Sequence, residues 1–223
     1  MKKSSFYIPI ALCLIPFIYL LIVWNNMPIK VPTHFDIEGK ANNFGSKTEL
    51  AGILFFMFLI STGIIVLLNN LSKIDPKRSY TTSSAILNKI SLTISAFIGI
   101  ISIYMIHTAA NYTDTSSTSP KLIMVLVSLL FVAMGNFMNN IKPNYFIGIR
   151  TPWNLEDGDN WRRTHHLGAR IWFFGGLVML ALILILPEKF SHYILIACLI
   201  PMCAIPFGYS YSMFKNKKHS EPV

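Results

Sequence analysis

The sequence predicts an all-α, polytopic integral membrane protein with six transmembrane helices, and three observations predict it. Of 223 residues, 53% are hydrophobic and only 13% are charged, against roughly 25% charged in an ordinary soluble domain. Mean hydropathy is +0.51. The apolar residues come in six blocks without Asp, Glu, Lys, Arg or His, each about long enough to cross a hydrocarbon core of ~30 Å as a helix.

The first block is Phe6–Trp24. Lys2 and Lys3 precede it as in a signal peptide, but its exit, IVWNNMPIK, lacks a small-x-small cleavage site. It is therefore expected to remain as a transmembrane helix. A long loop follows, Asn25–Glu49. Pro28 and Pro32 bias their neighbours toward extended backbone, and Gly39 and Gly45 permit tight reversal, so a compact, folded-back loop is expected. His34, Asp36 and Glu38, spaced by two, would share one side of an extended strand. That spacing admits a metal cluster, but it lacks the His/Cys-rich set of a strong zinc site. A hydrogen-bonded structural loop or binding surface fits better, and no metal is expected.

Leu50–Leu68 and Ile90–Ile106 form the next two spans, with Lys73, Lys77, Arg78 and Lys89 between or beside them. Ser61, Thr62 and Ser95 inside these blocks are expected to bond their own helix or a neighbour. The third connection, TAANYTDTSSTSP, has the composition of a flexible turn, and Asn111-Tyr112-Thr113 matches a short sequon that matters only in a eukaryotic source. Leu122–Met138, Ile171–Leu186 and Tyr193–Tyr211 complete the set; the last two, joined only by Pro187–His192, are antiparallel neighbours. Pro16, Pro201 and Pro206 imply kinks that neighbouring helices accommodate. The tail FKNKKHSEPV is expected to be disordered beyond the headgroups. Cys13, Cys198 and Cys203 lie inside helices, fit no metal spacing, and read as packing residues.

Basic residues orient the chain. Fourteen of the 19 Lys and Arg lie at the N-terminus, in the second and fourth connections and in the tail, so both termini are expected in the cytoplasm. Spread over separate loops, these cations fit topology and anionic lipid; a nucleic-acid surface would cluster them on one face. No direct nucleic-acid partner is expected.

The segment between spans four and five holds four Arg, five Gly or Pro, two Trp, three acids and a His pair within Lys142–Arg170. Pro143 is expected to end or kink the helix of span four, Gly148 marks tight backbone, and Pro152 forces Thr151 from helical angles. Asp157-Gly158 is the tightest point of an acidic turn, and Asp159 or Asn160 is expected to cap the next helix. At 100° per residue Trp161, His165, Gly168 and Trp172 share a stripe, opposite Arg162, Arg163, His166 and Arg170. The stripe admits two readings. In one, Trp153, Trp161 and Trp172 anchor at the interface and Arg150 bonds helix-end carbonyls; in the other, Arg150 and His165 line a pocket.

GNFMNNIKPNYFIGIRTPWNL followed by NWRRTHHLGAR resembles the signature of the SdpI family, bacterial membrane proteins that confer immunity to a secreted peptide toxin. VPTHFDIEGKANNFGSK resembles the DUF1648 loop often found at their N-terminus. The resemblance implies a DUF1648-like region over 1–69, with its outer loop at 25–49, and an SdpI-like region over 70–223, with its inner signature loop at 139–170. It carries over Asn144, Gly148, Arg150, Thr151, Pro152, Trp153, Trp161, Thr164, His165 and Gly168 as the inner signature. Pro32, His34, Phe35, Gly39 and Lys47 are carried over as the outer one. The position after the motif histidine, commonly basic in the family, is His166.

By that resemblance the expected function is toxin immunity and signalling in the bacterial cytoplasmic membrane. The implied partners are a secreted peptide toxin, a cytoplasmic winged-helix repressor held at the membrane, and membrane lipids. A small-molecule transporter, or an envelope protein without a toxin partner, is the alternative. Spans empty of ionisable residues argue against ion-coupled transport. No nucleophile–base pair stands at a recognisable spacing and no cofactor motif is present, so neither enzymatic activity nor a cofactor is expected.

Overall fold

The fold is given by a computed structural model that describes residues 4–36, 40–76, 82–113 and 121–220. Its order is α1 (Ser4–Val23), β1 (Lys30–Phe35), β2 (Ala41–Ser46), α2 (Lys47–Ile74), α3 (Ser84–Ala110), α4 (Lys121–Met138), α5 (Pro152–Glu156), α6 (Gly158–Ile185), a single 3-10 turn (Glu188–Phe190) and α7 (Ser191–Ser220). Six helices are long and apolar enough to cross a membrane: α1, α2, α3, α4, α6 and α7. The architecture is the expected all-α membrane fold.

Several helices outrun the apolar blocks that announced them, because polar caps rather than the end of the apolar run stop them. Ser46 accepts the Glu49 N–H to start α2, and Ser83 accepts that of Ile86 to start α3. The tail departs from expectation: α7 continues through Ser220. Lys217 Nζ reaches Asp157 Oδ2 at 3.1 Å, and Phe214 stacks on Trp153, so the last turns have a surface to fold against.

Helices α1, α2 and α3 pack as one group and α4, α6 and α7 as another, meeting along α3 and α4. One end of the bundle carries the β1–β2 hairpin; the other carries the 139–170 segment. At the hairpin end Leu20, Val31, Leu54 and Ile106 form a buried cluster. Leu68, Leu71, Ile90, Ile141 and Trp161 form the corresponding core at the opposite end.

Lipid tails are as apolar as leucine, so helices in a membrane associate by close packing rather than by hydrophobic burial. Between α4 and α6 that packing is backbone on backbone. A Cβ at Gly135 would meet the Phe173 N–H and lie 2.9 Å from the Ala169 carbonyl; one at Gly176 would lie 2.9 Å from Val132 N and 3.0 Å from the Ser128 carbonyl. Gly135→Leu is accordingly expected to force these helices apart and destabilise the protein by about 2 kcal/mol, read as a lower thermal midpoint in detergent.

Two prolines leave a carbonyl one turn earlier without its N–H, and at one of them a neighbour donates instead. Pro206 has no N–H for the Met202 carbonyl one turn earlier, and Trp172 Nε1 donates to that carbonyl at 3.0 Å. Pro16 does the same to Leu12, whose carbonyl faces Gly99 at the distance of a close backbone approach. Ser95 bonds the Ser91 carbonyl of its own helix and Ser61 meets Cys13 across the α1–α2 contact. Thr62 Oγ1 is buried without a partner.

The outer segment is more ordered than a compact loop. Its strands pair antiparallel, Val31 with Gly45 and Pro32 with Phe44, and the register is irregular around His34. Asp36 closes the ladder, its N–H donating to the Lys40 carbonyl at 2.9 Å and its Oδ1 accepting the Lys40 N–H at 2.9 Å. Glu38 and Gly39 lie outside the described residues, as do Lys2, Lys3, Lys77, Arg78 and positions 114–120.

Candidate functional site

Where α4 ends, the Asn140 and Ile141 N–H groups return to the Phe137 and Met138 carbonyls. Asn144 then holds the turn from inside. Its Oδ1 accepts the N–H groups of Phe146 and Ile147 at 2.8 and 2.7 Å, and its Nδ2 donates to the carbonyls of Lys142 and Ile147 at 2.8 and 3.1 Å. These four bonds use both donors of the amide and the full capacity of its oxygen.

Gly148 follows with φ 103°, the positive-φ residue among those described. This sends the Ile149 N–H onto His165 Nε2 at 3.1 Å, while His165 Nδ1 faces the Trp161 carbonyl at 2.9 Å. A carbonyl only accepts and a backbone N–H only donates, so Nδ1 carries the proton and the imidazole is neutral. The Trp161 indole lies against it, centroids 4.0 Å apart at 17°, and donates Nε1–H to the Ile141 carbonyl at 2.9 Å. Gly168, one turn further along α6, makes room for Met138 and Ile149.

Thr151 opens α5 in extended conformation with Pro152 behind it, and closes a capping box with Asn154. Each side chain accepts the other's backbone N–H, at 3.3 and 3.2 Å, an arrangement that satisfies donors at a helix start. Asn154 Nδ2 also donates to the Ile149 carbonyl at 2.7 Å. Trp153 stands on α7, its Nε1–H on Ser210 Oγ at 3.0 Å and its ring among Phe207, Tyr211 and Phe214. Asn160 completes this join. Its Nδ2 donates to the Ser210 carbonyl at 3.0 Å, and its Oδ1 accepts Ser210 Oγ–H at 2.8 Å and Thr164 Oγ1–H at 3.0 Å.

The segment is also fastened to the first helix group. The Lys142 N–H donates to Thr82 Oγ1 at 3.0 Å, and the Tyr145 N–H to Asp75 Oδ2 at 3.2 Å. One short segment thus grips the α2–α3 connection on one side and α7 on the other.

Several sequence-based placements change. Asp157, not Asp159 or Asn160, caps α6, accepting the N–H groups of both. Burial works against its ionisation, but Lys217 and those N–H groups outweigh it and hold the carboxyl below its ordinary value. Asp159 instead pairs with Arg162 and Arg163 at 2.8 Å each. The indole N–H groups of Trp153, Trp161 and Trp172 all donate inside the protein; Trp161 is buried and so is no interfacial anchor, while Trp153 and Trp172 are half-buried. His165 is 1% exposed, so it does not share a surface with Arg150. Arg150 is exposed and donates Nη1–H to the Tyr145 carbonyl at 2.7 Å.

Asp75, Thr82, Asn154 and Ser210 are not singled out from the sequence, and Asn160 enters there only as a helix cap. Thr151-x-x-Asn154 has capping-box spacing and could have been read. Asn160 and Ser210 are 50 residues apart, and no local pattern joins them.

At the hairpin, His34 Nδ1 meets Asn42 Oδ1 across the strands at 2.6 Å. Pro32 is buried and Phe35 half-buried. Lys47 Nζ donates to the Trp24 carbonyl at 3.1 Å and lies 5.2 Å from the centroid of that indole. Among the described residues no three His, Cys, Asp or Glu are placed to hold a metal ion.

Residues 140–210 match the SdpI/YfhL protein family, and residues 11–60 match a domain of unknown function, DUF1648. The chain carries an SdpI/YfhL region behind a DUF1648 region. No curated protein and no solved structure matches it. The SdpI/YfhL stretch runs from Asn140, at the end of α4, to Ser210, the residue on α7 that receives Trp153 and Asn160. It therefore takes in nearly all of the hydrogen-bonded segment, the whole of α6 and α7 as far as Ser210. The DUF1648 stretch takes in most of α1, the hairpin and the first half of α2.

Proposed function

We propose that this protein gives a bacterium immunity to a secreted peptide toxin and reports the encounter to the cytoplasm. The observation that carries the reading is the coincidence of the SdpI/YfhL match with a segment that bonds to both helix groups, through backbone N–H groups on one side and side chains on the other, while Arg150 faces outward. Binding sites commonly sit on loops positioned by a rigid scaffold, and this segment is such a loop. The distribution of Lys and Arg supports placing it on the cytoplasmic side of the cell membrane, where a winged-helix repressor would meet it. The hairpin would then face the toxin, presenting Ile29 and Phe44, 85% and 44% exposed.

Toxin and repressor must bind two arrangements of the helices unequally for one to report on the other. The bonds to Thr82, Asp75 and Ser210 support this role, because a shift of either helix group would move the loop. The exposed surface requires no catalysis, and the reading is of a non-enzymatic protein.

The test is survival of a toxin-sensitive bacterium expressing either wild type or Arg150→Ala at matched membrane levels, challenged with membrane-active peptide toxins. Wild type is expected to protect and Arg150→Ala to lose protection. Arg150→Ala protecting as well as wild type would remove the loop surface from the mechanism, and failure of wild type would remove immunity.

A further inference from the structure

Two cavities meet at Arg170. The first, about 650 Å³, is walled by Lys142, Arg162, Arg163, His166 and Arg170, with Tyr209 of α7 at its edge. The second, about 470 Å³, lies between α6 and α7 and is lined by Phe174, Val178, Ala197, Pro201 and Met202. Arg170 lines both.

The charges in the first cavity are unbalanced. Asp159 engages Arg162 and Arg163, and among the described residues neither the Lys142 ammonium nor the Arg170 guanidinium has an acidic partner. Four fixed cations thus face one carboxylate. The second cavity is apolar along its length, and it runs down the membrane-spanning part of α6. A soluble anion would satisfy the cations and leave that groove empty, and so would an acidic protein surface. An amphiphile with an anionic head fills both.

We propose that the two cavities form one site for an anionic phospholipid, its phosphate among Lys142, Arg163 and Arg170 and one acyl chain in the α6–α7 groove. Basic pockets between transmembrane helices are suited to such headgroups. Arg170 stands at the boundary, its stem along the apolar groove and its charge toward the phosphate. The site adjoins the proposed signalling loop through Lys142 but does not depend on that role.

The protein would be reconstituted in vesicles of equal phosphatidylglycerol and phosphatidylcholine and extracted in mild detergent, and its retained lipid would be counted by native mass spectrometry. Wild type is expected to retain phosphatidylglycerol over phosphatidylcholine. Lys142→Gln and Arg170→Gln are each expected to lower that retention about five-fold, the effect of one surface cation on anionic lipid. Ala197→Phe, which fills the groove and removes no charge, is expected to lower it as well. Lys189→Gln, a cation at the opposite end of the bundle, should leave it unchanged.

Equal retention of the two lipids would overturn the site, as would an unchanged Lys142→Gln and Arg170→Gln pair. Loss in the charge variants with none in Ala197→Phe would replace the lipid by an anion or acidic partner in the basic cavity alone. Displacement by free glycerol phosphate would lead to the same replacement. All four substituted side chains are exposed, which keeps lipid loss separable from misfolding.

Discussion

Gly148→Ala is expected to destabilise the protein by about 4 kcal/mol, from two independent causes. At φ 103° a side chain is strained whatever the space around it, at about 1–3 kcal/mol. In addition the new Cβ would collide with His165 Nε2, the atom that accepts the Ile149 N–H. Moving the imidazole away leaves the part-buried Ile149 N–H unpaired, at about 1–3 kcal/mol, and it also disturbs the stack on Trp161. Against a total stability of about 5–15 kcal/mol, that is a large fraction. The measurement is the thermal midpoint of Gly148→Ala, His165→Ala and the double variant in one detergent. The collision vanishes in the double variant while the φ strain stays, so its loss should fall short of the sum. An additive result would mean that Gly148 and His165 act separately, and a wild-type midpoint for Gly148→Ala would discard the argument.

The second large effect lies at the join between α6 and α7. Asn160→Ala leaves the Ser210 carbonyl, the Ser210 hydroxyl and the Thr164 hydroxyl each short of a partner in a buried place. Unmade buried bonds cost about 1–3 kcal/mol each, and some are recovered by relaxation, so a loss of about 3 kcal/mol is expected. Ser210→Ala removes one of those hydroxyls and the acceptor of Trp153. The two variants therefore share a bond, and the double variant should be about 1–2 kcal/mol more stable than additivity requires. Denaturation of the four proteins under one condition measures this coupling. Its absence would mean that the amide and hydroxyl do not bond.

What could be read from the chain follows from the range of each interaction. Six spans were legible because a membrane helix must satisfy its own backbone and present a run of apolar side chains to lipid, both properties of a contiguous stretch. The stripe of Trp161, His165 and Gly168 was legible for the same reason, since helical spacing alone places these residues on one face. So was the tight backbone at Gly148. The extent of α7 was not, because its last turns depend on Asp157 and Trp153 rather than on their own apolarity.

The same division governs the candidate site. One reading of the sequence set His165 beside Arg150 in the lining of a pocket. Only the fold brings the Ile149 N–H and the Trp161 carbonyl to its two nitrogens and removes it from the surface. Trp161 looked like an interfacial anchor until the fold buried it and the Ile141 carbonyl supplied its acceptor. By itself the sequence determined the helices, their order and the residues that bend the loop, because these rest on backbone geometry and on apolar length. The tertiary structure decided which polar side chains are spent inside and which, like Arg150, remain outside, because a buried hydrogen bond needs two groups that only folding brings together.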